Sequence, residues 1–105
     1  MHTALSNESA DTLVGVVRVL GPKPPPAVLE AMASALLNGP IDLVCELHLA
    51  GGTGAASHDS RQRLVALVED RGGEPFAALD LIDAFSRHVM LSRRFDTHAR
   101  RSPPS

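Results

Sequence analysis

Hydrophobic positions along the chain fall into five groups parted by glycine and proline. In SADTLVGVVRVLG, Leu13, Val16, Val17 and Leu20 follow the i, i+3, i+4, i+7 spacing of one helical face. Ser9 is the expected N-cap, Asp11 falls in the first turn, and Gly21-Pro22 close the segment. Its four valines and Gly15 are poor helix formers, so a strand over residues 13–20 competes with the helix. KPPP follows as a stiff connector, with Pro26 suited to a first helical position. PAVLEAMASALLNG is the clearest helix, with Leu29, Met32, Ala33 and Leu36 on one face and Asn38-Gly39 as its stop.

PIDLVCELHLAGGTG carries two patterns at once. Every odd position from Ile41 to Leu49 is apolar, as in a half-buried strand. Pro40 as the first helical residue, with Asp42 close behind, instead opens a helix. The expectation is a helix sunk in the core, with Asp42 and Glu46 sharing a narrow polar stripe and Cys45 a buried thiol. A strand over residues 41–49 is the alternative. Beyond the glycine loop, SHDSRQRLVALVEDRGG predicts a helix capped by Ser57, with Asp59 in its first turn, Leu64, Leu67 and Val68 buried, and Gly72-Gly73 ending it. In EPFAALDLIDAFSRHVMLSRR, Pro75 lies near the helix start, and Phe76, Leu79, Ile82, Phe85 and Val89 form the apolar face. Asp83 and Arg87 make an i, i+4 pair on the exposed one.

The fold these elements predict is an all-α bundle of about five short helices. It spans residues 9–95, after a disordered N-terminus (1–8) and before a basic flexible tail (96–105). The alternative is an α/β arrangement with residues 13–20 and 41–49 as strands. Composition favours the bundle. The chain has 105 residues, one domain's worth, and its only aromatics are three phenylalanines, so the core is built from Leu, Val, Ile, Ala and Met. The same scarcity leaves few rings for stacking nucleobases. Cys45 is the single cysteine, which excludes an internal disulfide and fits a reducing, cytoplasmic setting. Charged residues interrupt every apolar run, so no membrane span is expected, and the first eleven residues lack a signal-peptide pattern.

The net charge of −2 hides an asymmetry. Residues 1–83 carry five Lys/Arg against eleven Asp/Glu, and residues 84–105 carry five Arg against one Asp. The basic end suits a helix C-terminus. It also nominates Arg87, Arg93, Arg94, Arg100 and Arg101, with Arg61 and Arg63, as contacts for nucleic acid or an acidic partner. Glu69 and Asp70 on the helix bearing Arg61 and Arg63 oppose a DNA-reading role for it.

Candidate chemistry is thin. GGTG before a helix offers backbone N–H groups to a phosphate, but neither Gly-Lys-Ser/Thr nor GxGxxG is present, and a helix–helix link explains the glycines. Cys45 and His48 stand at i, i+3, yet no zinc spacing accompanies them, and His58, His88 and His98 are dispersed. Ser57, His58 and Asp59 are the residue types of a hydrolase triad, but as neighbours on one helix they point apart. Asp80 and Asp83 read as a solvated face. No cofactor, metal or catalytic residue is expected.

Three segments together suggest a relationship: PPAVLEAMASALLNG, SHDSRQRLVALV and FAALDLIDAF. Their order resembles the helical N-terminal region of the phospholipase-D-like proteins of the bacterial DISARM anti-phage system. In that family a proline-led LExxAxALxxG helix precedes an SxxxRxxLxxLL helix and an Ala/Leu-rich one. The catalytic His-x-Lys motif of the family has no counterpart, because the only lysine is Lys23 and Gly21 stands two residues before it. The resemblance therefore implies an accessory helical domain without the phosphodiesterase: a non-catalytic interaction or regulatory module in defence, with a protein or nucleic acid as partner. A small DNA-binding regulator and a phosphate-binding α/β fragment at GGTG are the alternatives.

Overall fold

The computed structural model describes residues 5–100, and their side chains as far as residue 90. Five α-helices follow one another: α1 (Asn7–Leu20), α2 (Pro26–Leu36), α3 (Ile41–Ala50), α4 (Ala55–Asp70) and α5 (Pro75–Arg100). No strand occurs among the described residues, so the α/β alternative falls: residues 13–20 and 41–49 are both helical. Helix α5 packs against all four others, with α2 on one side of it and the paired α3 and α4 on another. It buries Ala77, Ala78, Leu81, Ile82, Ala84 and Phe85, a broad face suited to a central helix. The three alanines let neighbouring backbones approach. Leu13, Val17 and Leu20 of α1, Ala33 and Leu36 of α2, Leu43 and Leu47 of α3, and Leu64 and Val68 of α4 complete one continuous core.

Several expected details differ. The cap of α1 is Ser6, whose hydroxyl accepts the Ser9 N–H at 3.2 Å; Ser9 itself is fully buried inside the helix. Helix α1 therefore opens at Asn7, within the stretch expected to lack structure. Gly54, at φ 103°, occupies the N-cap of α4, a backbone conformation that favours glycine. Ser57 lies inside that helix, buried beside Gly52, and Asp59 falls beyond the first turn. Pro40 is the N-cap of α3 rather than its first helical residue. Phe76 is 69% exposed, so the core-facing stripe of α5 begins at Ala77. Leu67 is only half-buried. Helix α5 continues through residues 96–100, where a tail was expected; residues 101–105 lie outside the described ones.

Polar contacts pin the helices pairwise. Asp42 joins α3 to α1 through Ser6 and Ser9. Glu46 joins α3 to α4 through Ser60, and Glu30 joins α2 to α5 through Arg87. Arg18 of α1 donates to the Arg71 carbonyl at the end of α4 (3.0 Å), and Arg71 returns an ion pair to Asp11. At the α3–α4 bend, Gly51 sits so close to α5 that a Cβ there would lie 1.6 Å from Ser86 Oγ.

Candidate interaction surface on α3 and α5

Helix α3 carries its two carboxylates on the same side as its buried leucines. At 100° per residue, Asp42, Leu43, Glu46, Leu47 and Ala50 share one arc, and Ile41, Val44, Cys45, His48 and Leu49 share the other. The first arc points inward. Leu43, Leu47 and Ala50 enter the core, and the two carboxylates travel with them.

Each carboxylate is met by dedicated donors. Asp42 accepts from the Ser9 hydroxyl, from the Ser6 N–H (3.0 Å) and from the Leu43 N–H (3.0 Å). These hydrogen bonds, the Ser9 hydroxyl foremost, hold its carboxyl at about 2. Asp42 thus serves the N-terminal turns of both α1 and α3, where helix dipoles favour negative charge. One turn later, Glu46 Oε2 accepts the Ser60 hydroxyl at 2.6 Å, with Arg63 3.6 Å from Oε1. The expected narrow polar stripe is thus the glue between α3, α1 and α4.

With these groups turned towards α1 and α4, apolar residues are left outside. Ile41 is 77% exposed and Leu49 40%, and Cys45 is exposed rather than buried. Val44, Cys45 and His48 line a shallow groove of about 250 Å³ against Phe85 and Val89 of α5. Met90, 67% exposed, follows directly on α5. None of these residues carries a permanent charge. Of the remaining large exposed apolar side chains, Val19 and Val28 sit on α1 and α2, and Phe76 lies at the start of α5, about four turns before Met90. The surface can hold an apolar partner face without chemistry.

The residues nominated for nucleic acid are placed differently. Arg61 donates to the Ala50 carbonyl at 3.2 Å, closing the C-terminus of α3, and lies 4.0 Å from Asp83. Arg63 pairs with Glu46. Arg87 donates to Glu30 Oε1 at 2.8 Å rather than chiefly to Asp83; this hydrogen bond lowers the Glu30 pKa and raises that of Arg87. His88 Nε2 lies 2.6 Å from the other oxygen of Glu30 and also helps lower its pKa. The side chains of Arg93, Arg94 and Arg100, and all of Arg101, lie outside the described residues.

Other candidates resolve simply. Cys45 and His48 do share a face, and no group of three or more His, Cys, Asp or Glu gathers among the described residues to hold a metal. Ser57 is buried while His58 and Asp59 are exposed, so the three diverge. Gly51 and Gly52 donate to the Leu47 and Leu49 carbonyls, so GGTG ends α3 and Gly54 begins α4. No described helix is long and apolar enough to cross a membrane. The Ser9–Asp42, Ser60–Glu46 and Glu30–Arg87 contacts were not read from sequence; the i, i+4 spacing of Asp42 and Glu46 was their one visible trace. Compared with family models, with curated proteins and with solved structures, the chain matches none.

Proposed function

We propose that this chain is a non-catalytic interaction module that docks an amphipathic helix of a protein partner on its α3–α5 face. One observation carries the reading: α3 spends its carboxylates internally and turns Ile41, Cys45 and Leu49 outward. A groove between two helices, apolar and free of permanent charge, suits a helix presenting i, i+3, i+4, i+7 anchors. The excess of eleven acidic over five basic residues in positions 1–83 selects a partner with basic flanks. The resemblance to DISARM-associated helical regions supports a setting in bacterial defence, as an adaptor without its own chemistry. Duplex DNA is the less supported partner, because Arg61, Arg63 and Arg87 each face a carboxylate of the same chain.

Selection of displayed helical peptides against the folded protein tests this reading. Enriched sequences should share the four-anchor apolar spacing with Lys/Arg flanks, and should perturb the amide signals of Val44, Cys45 and Val89. Binding should fall at least about tenfold in an Ile41→Glu/Leu49→Glu variant, since each exposed apolar anchor contributes on the order of 1–2 kcal/mol. Peptides that bind this variant equally well, or that map to another face, would overturn it.

A further inference from the structure

A second concavity, of about 230 Å³, opens between the start of α1 and the length of α4. It shares no lining residue with the α3–α5 groove. Ala10 and Leu64 form its buried floor, and Leu5 and Leu67 its walls. Its size exceeds that of cavities of about 150 Å³ that take up a benzene ring.

The two cations at its edge are held unequally. Arg63 and Arg71 both line the cavity, against the single carboxylate of Glu46. One oxygen of Glu46 already takes the Ser60 hydroxyl, and Arg63 stands 3.6 Å from the other, beyond hydrogen-bond reach. Arg71 is tied to Asp11, which does not line the cavity. A guanidinium has five N–H donors, so Arg63 retains several for a ligand. On α4, Arg63, Leu67 and Arg71 follow at i, i+4, i+8, which sets an apolar step between two cations. With Asp11 counted beside Arg71 the charges balance, and Arg63 is left as the guanidinium with unused donors beside an apolar floor, the pattern of a site in which few polar groups orient a mostly apolar ligand.

We propose that this cavity binds a small amphiphilic carboxylate. Its hydrocarbon body lies over Leu64 and Leu67, and its head group is met by Arg63. Arg71 contributes the weaker attraction, because Asp11 occupies it.

Octanoate, octanol and octylamine, each titrated into the isotopically labelled full chain, provide the test. Octanoate should give saturable shifts at Ala10, Leu64 and Leu67 at roughly millimolar concentration, as expected for a ligand of about ten heavy atoms. Octanol should bind about tenfold more weakly, and Arg63→Gln should weaken octanoate by a similar factor while leaving octanol unchanged. Arg71→Gln should have a smaller effect. Both arginines are substantially exposed, so the variants should fold, and an unchanged amide spectrum elsewhere checks that they do. Octylamine binding as well as octanoate, equal octanoate affinity in Arg63→Gln, or shifts that do not saturate would each overturn the proposal.

Discussion

Ser9 of α1 donates its hydroxyl to Oδ1 of Asp42, the second residue of α3, across 33 positions of sequence. Both partners sit where a local reading assigns other work: Ser9 a helix cap, Asp42 a first-turn acid of its own helix. The contact has a direct consequence for pH. The Asp42 pKa falls from 3.8 to about 2 on folding, so the folded state is favoured when the group is ionised. That contribution is complete above about pH 4 and is lost as pH falls towards 2. In Ser9→Ala, whose Asp42 loses its foremost donor and keeps those of Ser6 and Leu43, the pKa should rise part of the way towards its ordinary value. A carboxyl-carbon NMR titration of both proteins reads it directly, and an unmoved Asp42 would show that the hydroxyl is not the cause.

Phe85 and Phe76 occupy the same helix and should behave oppositely. Phe85 is fully buried at the centre of the core, so Phe85→Ala should cost about 3–5 kcal/mol in urea unfolding. Phe76 is 69% exposed, and Phe76→Ala should stay within about 0.5 kcal/mol.

Gly51 tests the close approach of α3 to α5. A Cβ at this position would stand 1.6 Å from Ser86 Oγ and 3.0 Å from Ser86 Cβ. Its φ of −80° is one any residue adopts, so the obstacle is space alone. Gly51→Ala should destabilise by about 1–3 kcal/mol. Adding Ser86→Gly should recover part of the loss, which a double-mutant cycle in urea would measure.

Cys45 should react with a thiol reagent in native buffer, to one equivalent and without prior unfolding, because it is exposed. Labelling that tracked global unfolding would put the thiol in the interior instead.

The Glu30–Arg87 pair spans α2 and α5 at the surface. Its depressed carboxyl pKa makes the contribution present above about pH 4.5 and lost below it. Because both groups are solvated, coupling in a Glu30→Gln/Arg87→Gln cycle should shrink between about 0.01 M and 1 M salt.

The helices themselves were legible in the pattern. Leu13, Val17 and Leu20, then Ala33 and Leu36, then Leu64 and Val68 are buried at the helical spacing their sequence shows. Glycine and proline marked the joints. What sequence concealed was which way α3 faces. Its alternation fits strand and helix alike, and its inward carboxylates depend on donors 33 and 14 residues distant. No local rule reports such donors. The caps failed for a related reason: SNESAD offers two serines three apart, and the one tertiary contact claims decides which is left to cap. At the candidate surface, the groove depends on Phe85 and Val89 meeting Val44 and Cys45, a pairing visible only once α3 and α5 are in register.

Helix α3 also separates two kinds of change. Residues that fasten it lie along one side, and those that greet the outside lie along the other, with scarcely any overlap. Under the docking role proposed above, substitutions at Ile41, Cys45 or Leu49 should alter binding while the architecture stands. Altering Asp42 or Glu46 should do the reverse, loosening the hold of α3 on α1 and α4 without changing a residue of the outer face.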